Sequence, residues 1–115
     1  MKLNKIIASL DIDAQKGFTI LCPKELPVPE GELIVGELNA QAKHADFRVG
    51  SRDLHPMDAL WNAENPEEML TVVGLPNVDV KWNPHCRLGT TGAELLDGLP
   101  HHLEYDYMAS KGMDK

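Results

Sequence analysis

Apolar positions along this chain come in short runs, each closed by charged or turn-forming residues. Residues 6–12 (IIASLDI) read as a buried strand whose C-terminal end carries Asp11 and Asp13. Residues 14–28 read as a loop, because Gly17, Pro23 and Pro27, with Pro29 just beyond, exclude a long regular element. Residues 30–44 place Leu33, Ile34, Leu38 and Ala42 at helical spacing, after a proline tolerated at a helix start. They predict an amphipathic helix despite Gly31 and Gly36. Residues 47–51 (FRVGS) predict a second strand, ending in the cluster Arg52-Asp53-Leu54-His55. Residues 56–91 hold four prolines and no sustained periodicity, so they read as a long loop of the kind that usually carries function. A helical turn is expected at 93–96, after Gly89-Thr90-Thr91-Gly92. A third strand is expected at 104–109 (EYDYMA), ending at Ser110-Lys111-Gly112.

Strand, helix, strand, loop, strand implies an α/β fold with a parallel sheet. Each strand then delivers polar residues at its C-terminal end: Asp13, Asp53 with His55, and Lys111. In open α/β sheets that edge is where sites are built. With 115 residues, 43% apolar and 25% charged, the chain fits one domain with a modest core. A net charge of −7 argues against nucleic acid and anionic membrane as partners. Residues 1–5 do not open a signal peptide, no stretch has the length of a membrane span, and Cys22 and Cys86 make no disulfide framework. A reduced, cytoplasmic setting fits.

Asp53 and His55 form a D-x-H pair. On an extended segment, residues two apart point the same way, so both can reach one ion. His85, in Trp82-Asn83-Pro84-His85-Cys86, is a third candidate ligand. Imidazole and carboxylate suit zinc, iron or manganese, and three protein ligands with open positions make a catalytic pattern. By spacing alone, a solvated loop is the commoner setting for such a pair. His101-His102 competes with it but sits in a polar connection, and His44 suits a helix end on dipole grounds. Asp13 and Lys111 are expected on neighbouring strand ends, either as a structural salt bridge or as a pair that handles a proton. Neither cysteine sits at a helix N-terminus or beside a cation, where a reactive thiol belongs. Cys86, next to His85, reads as a further ligand or a small buried residue.

Five segments in order resemble one family. Ile12-Asp13-Ala14-Gln15-Lys16-Gly17-Phe18 is similar to the I-D-x-Q-x-x-F opening of nicotinamidases. Leu26-Pro27-Val28-Pro29-Glu30-Gly31 resembles their L-x-V-P-x-G step. Arg52-Asp53-Leu54-His55-Pro56 resembles the D-W-H-P metal motif. Trp82-Asn83-Pro84-His85-Cys86 with Gly89-Thr90-Thr91-Gly92 is similar to W-P-x-H-C-x-x-G-T-x-G, and Ser110-Lys111-Gly112 to the K-G motif. The chain is thus identified with the N-terminal portion of the nicotinamidase/pyrazinamidase branch of the isochorismatase-like cysteine hydrolases. The resemblance implies a three-layer Rossmann-type fold of which about the first three strands are present, as a single incomplete domain over 1–115.

It also implies a reaction of NAD salvage, the hydrolysis of nicotinamide or a similar heteroaromatic amide to the acid and ammonia. Asp13 would be the general base, and Lys111 would stabilise charge near a thiolate. Asp53, His55 and His85 would hold one divalent ion, zinc first, then iron or manganese. Phe18 and Trp82 would line the ring pocket, a role that ordinary packing would also explain. Two departures stand out. Many relatives carry a further histidine where this chain has Ala59. Their nucleophilic cysteine lies beyond the K-G motif, beside a non-proline cis peptide that builds the oxyanion hole. The expectation is a second chain or C-terminal segment that brings the thiol, or else a homo-oligomer. If the later strands are absent, residues 6–12 become an exposed apolar edge that invites pairing. The other reading is a non-catalytic, metal-binding interaction domain.

Overall fold

In the computed structural model, which describes residues 5–114, strand β1 (Ala8–Ile12), helix α1 (Val35–Ala42) and the strands β2 (Phe47–Asp53), β3 (Val72–Leu75), β4 (Val78–Val80) and β5 (Tyr107–Lys111) follow one another along the chain. Residues 1–4, on which the signal-peptide reading partly rests, lie outside the described residues. Strands β1 and β5 both pair parallel with β2, giving the order β1-β2-β5. Parallel neighbours need a crossover, and α1, packed on β1, supplies it. The expected α/β class with a three-stranded parallel sheet is what forms.

The register fixes two faces. Ala8 lies opposite Phe47, Leu10 opposite Val49, and Asp53 opposite Lys111. Period-two alternation therefore puts Leu10, Ile12, Val49, Tyr107, Asp53 and Lys111 on one face, and Ser9, Asp11, Arg48, Arg52 and Ser110 on the other. Here the expected burial of β1 is corrected. Leu10 is 51% exposed and Ile12 63%, whereas Asp11 is 2% exposed. The apolar run is a strand, but its polar alternates are the buried ones. One carboxylate oxygen of Asp11 gathers Arg48 Nη2 at 2.7 Å, Arg48 Nε at 3.0 Å and the Tyr105 hydroxyl at 2.7 Å. The guanidinium also lies 5.4 Å from the Tyr105 ring centre. Burial together with Asp11 raises the Tyr105 pKa, so the phenol stays a donor.

Helix α1 is shorter than the predicted 30–44. Glu30 takes a left-handed conformation (φ 64°), so no helix starts there, and Gly31–Leu33 form a single 3-10 turn first. At the other end the amides of Lys43, His44 and Ala45 bond back three residues, which tightens the chain out of α geometry. The third strand runs later than the predicted 104–109. His102–Glu104 form a turn in which the His101 ring accepts the Leu103 amide at 3.2 Å, and the strand opens once Asp106 has closed onto Arg48. A 3-10 turn at Thr91–Ala93 stands where a helical turn was expected at 93–96. The long loop contains an antiparallel hairpin, β3–β4, turned at Pro76-Asn77 with Asn77 at φ 62°.

The apolar core is thin. Its buried members are Ala14, Ala59, Ala63, Val78, Cys86, Ala93, Leu96 and Tyr105. Gln15 and Thr19 are buried more completely than most of these. Among the described residues no helix is long and apolar enough to cross a membrane.

Candidate metal centre and active site

Asp53 ends β2, and the chain stays extended through His55, so both side chains turn to one side. His55 is locked by two backbone bonds, its amide to Cys86 O at 3.0 Å and its carbonyl from the Leu88 amide at 2.9 Å. These bring the 85–88 segment alongside and carry His85 to the same point. One ligand atom each from Asp53, His55 and His85 lies within 4.8 Å of the others, the grouping of this kind found among the described residues. Asp53 Oδ2 is 3.2 Å from His55 Nε2 and 3.8 Å from His85 Nε2.

Both rings are oriented for coordination. His55 Nδ1 lies 2.7 Å from the carbonyl of Gly112, and His85 Nδ1 lies 2.6 Å from that of Asn83. A carbonyl accepts only, so each Nδ1 carries a proton and each Nε2 faces the shared point, where His55 Nε2 lies within hydrogen-bond reach of Asp53 and could give its lone pair to an ion instead. Trp61 packs edge-on against His55 at 4.6 Å, and Phe18 lies 5.4 Å from His85. Gly112 (φ 70°) is required here, since a side chain at that position would run into the His55 ring. Two buried imidazoles and a carboxylate, each aimed by a second partner, fit a borderline divalent ion such as zinc. Ala59 is buried nearby in the 56–62 turn and offers no ligand atom.

The charges are arranged in series. Lys111 Nζ donates to Asp53 Oδ1 at 2.5 Å and to Asp13 Oδ2 at 2.7 Å. Asp13 also accepts the Ser51 hydroxyl at 2.7 Å. Burial disfavours the Asp53 carboxylate, but His55 and Lys111 outweigh it and hold the pKa down at about 2. Burial likewise opposes the charge on Lys111, and the two aspartates overcome it, so its pKa is raised. His55 follows the same logic: burial lowers its pKa, while Asp53 and the Gly112 carbonyl raise it on balance. Burial lowers the pKa of the more deeply buried His85, outweighing the Asn83 carbonyl and Asp53. Asp13 sits in a left-handed conformation (φ 49°) just past β1, a conformation aspartate tolerates better than most residues.

A cavity of about 550 Å³ opens at this centre, lined by Phe18, Trp61, Trp82, His55, His85 and Asp53. A groove of about 630 Å³ runs beside Asp13, and Phe18 borders both. The structure thus brings together Asp13, Lys111, Asp53, His55, His85, Phe18 and Trp82. It leaves His44 on the surface beyond α1, and stacks His101 on His102 at 4.2 Å, outside the centre. Cys86 is fully buried, and burial pushes its thiol well above the ordinary range. Burial also raises the pKa of Cys22, with Glu25 adding to the effect.

Three contributors were not singled out by sequence. Trp61 packs against both candidate ligand histidines, edge-on to His55 and tilted to His85, but nothing in its local pattern distinguishes it. Gln15, 0% exposed, donates to Asp53 O at 2.8 Å and Ala93 O at 2.9 Å and accepts the Asp53 amide at 2.8 Å. It stitches the end of β2 to the 90–93 turn. Its place in the I-D-x-Q segment was the signal. Glu25 accepts the Cys86 amide at 2.8 Å, with its carboxylate lodged between Gly17 and Gly92. Cys86 is left-handed (φ 46°), a costly conformation for a residue with a Cβ, and Glu25 holds it there beside His85.

No family model and no curated relative matches the chain. Solved structures do. The pyrazinamidase of Pyrococcus horikoshii in complex with zinc is 30% identical, with TM-score 0.64, over 93% of this chain and 52% of its own. A nicotinamidase/pyrazinamidase of Acinetobacter baumanii is 25% identical, with TM-score 0.80, over 98% and 55%. The yeast nicotinamidase bound to the inhibitor nicotinaldehyde, 22% identical with TM-score 0.70, shares the fold. The chain spans about half the length of the structures it matches. In fold and sequence together, it resembles the N-terminal portion of the nicotinamidase/pyrazinamidase family within the isochorismatase-like superfamily.

Proposed function

We propose that this chain supplies the metal site and the Asp/Lys pair of a nicotinamidase-like amidohydrolase, which converts nicotinamide or a similar heteroaromatic amide to the acid and ammonia. The observation that carries this reading is the bridge from Lys111 to both Asp13 and Asp53. It joins Asp13, on the neighbouring groove, to the ligand set that lines the aromatic cavity, and Phe18 borders both. Zinc, when bound by Asp53, His55 and His85, would hold the ring nitrogen of the substrate as a Lewis acid. Phe18 and Trp82 would sandwich the ring. Asp13 would take the proton from a thiol, and Lys111 would stabilise the resulting thiolate and the charge that builds on the amide oxygen.

The thiol is assigned to a polypeptide outside these 115 residues. Cys86 is fully buried beside His85, and burial raises its pKa, which disfavours the thiolate that an attack needs. That same observation favours a second reading, a metal-binding interaction domain without catalysis. One assay separates the two. The zinc-loaded chain is mixed with a polypeptide carrying the part of the Acinetobacter fold that this chain leaves uncovered, and ammonia release from nicotinamide is followed. Release that disappears in Asp13→Asn and Lys111→Ala supports the amidase. Zinc binding with no release supports the interaction domain, and release that survives either substitution refutes the triad.

A further inference from the structure

A cavity of about 750 Å³ lies between the end of β2 and the 88–102 segment, lined by none of the three candidate metal ligands. That volume is in the range of small-molecule sites. Arg52 and Asp53 are successive residues of β2, so their side chains leave opposite faces of the sheet. Asp53 turns to the ligand cluster and Arg52 to this cavity.

Arg52 is half-buried there, and its Nε donates to Ser110 Oγ at 3.0 Å, which holds the guanidinium in place. Among the described residues neither of its Nη groups has a hydrogen-bond partner, and it enters no salt bridge. The chain does not lack carboxylates, with 18 acidic residues to 11 basic ones. They are spent elsewhere: Arg48 meets Asp11, Lys16 meets Glu94 and Asp97, and Lys111 meets Asp13 and Asp53.

The histidine pair that the metal centre leaves out lines the same cavity. His101 Nδ1 accepts the Leu103 amide at 3.2 Å, so its neutral ring carries the proton on Nε2 and donates from there. Half-buried His102 stacks on it at 4.2 Å. Burial first, then Arg52, then His101 lower the His102 pKa, and no carboxylate raises it. The remaining charged groups of the cavity, Lys16, Glu94 and Asp97, are closed on one another. One end of the cavity is therefore crowded with donors and short of an acceptor. Leu54, Leu88, Leu95 and Leu99 supply apolar wall around it.

We infer that this cavity binds a small phosphate monoester, with its phosphate on Arg52 and His102 and its organic body along the leucines. A phosphate is close to a dianion at neutral pH and offers three strong acceptor oxygens, enough for the guanidinium and an imidazole together. A carboxylate would be used up by the guanidinium alone. The net charge of −7 works against a polyanion such as nucleic acid and leaves a small anion as the occupant. The site stands apart from the amidase reading and does not rest on it.

The test titrates phenyl phosphate into the full chain kept free of metal, so that no ion can hold the phosphate. Calorimetry and the histidine ring resonances are followed. Binding is expected, with His102 titrating at higher pH in the complex because a nearby anion favours the imidazolium. Arg52→Gln should weaken binding at least about tenfold, and His102→Gln about threefold. His102→Gln, outside every strand, keeps the test decisive if Arg52→Gln does not fold. Lys81→Gln, which removes a positive charge outside the cavity, should leave the affinity unchanged. No binding at millimolar phenyl phosphate would overturn the inference. So would an affinity that survives the Arg52 and His102 variants, an equal loss in Lys81→Gln, or phenol or benzoate bound as tightly as phenyl phosphate.

Discussion

The two ends of the parallel sheet are built to different standards. At the C-terminal end, Asp13, Asp53, His55, His85 and Lys111 each have a named partner, and both imidazoles are aimed by a backbone carbonyl. Along β1, Ser9 Oγ and Asp11 Oδ1 are buried without a hydrogen-bond partner among the described residues, and Leu10 and Ile12 are exposed. The difference separates a cluster whose side chains are already oriented by their neighbours from a strand whose polar atoms are not. A ligand set aimed in advance needs little rearrangement to meet an ion, whereas an unpaired buried oxygen keeps its desolvation cost.

The strongest way to break the comparison is to attack the one satisfied oxygen on β1. Asp11→Ala leaves Arg48 and the Tyr105 hydroxyl buried without their acceptor and should cost about 3 to 5 kcal/mol in a urea melt. A loss below about 1 kcal/mol would mean the buried face is already wet. At the other end, His55→Ala removes a ligand and should lower zinc affinity by at least about a hundredfold, read by calorimetric titration. Unchanged affinity would move the ion elsewhere.

Acid probes the same end through its charges. Asp53 is held at about 2 against an ordinary 3.8, so its share of stability is present above pH 3.8 and is lost as pH falls toward 2. The loss should be about 2 kcal/mol and absent in Asp53→Asn, as acid titration followed by circular dichroism would report. Zinc binding should weaken earlier, as the pH drops through the raised pKa of His55, because protons then compete for Nε2. Glu25→Ala frees the left-handed Cys86 and should weaken zinc about tenfold, with Glu25→Gln restoring most of it because the amide oxygen can still accept the Cys86 N–H. The smallest effect is expected at Leu10→Lys in the isolated chain. Its stability should change by no more than about 0.5 kcal/mol, since the side chain is already in water.

Much of the site was legible because its residues cluster in short motifs at strand ends. Asp53 with His55, and Lys111 before Gly112, needed only a parallel sheet to meet. Asp13 needed the further fact that β1 lies beside β2. Trp61 and Glu25 were illegible for the opposite reason. Their roles come from contacts across 24 and 61 positions of chain, to His85 and Cys86, and no local pattern records them. The hairpin β3–β4 was missed because Pro76 counted only among the four prolines of an aperiodic loop, although Pro76-Asn77 between two valine-rich runs is a turn signal. The apolar run alone predicted a buried β1, whereas the resemblance predicted an exposed apolar edge where the later strands are absent. Leu10 and Ile12 follow the second expectation, and the burial of Asp11 on the opposite face was signalled by neither.

Glu25 carries a consequence for how such a chain can change over time. Its carboxylate occupies the space that a side chain at position 92 would need. The two positions are therefore tied by exclusion. A side chain at position 92 would have to push the Glu25 carboxylate off the Cys86 amide, so a descendant that fills position 92 gives up that hydrogen bond even if it keeps Glu25.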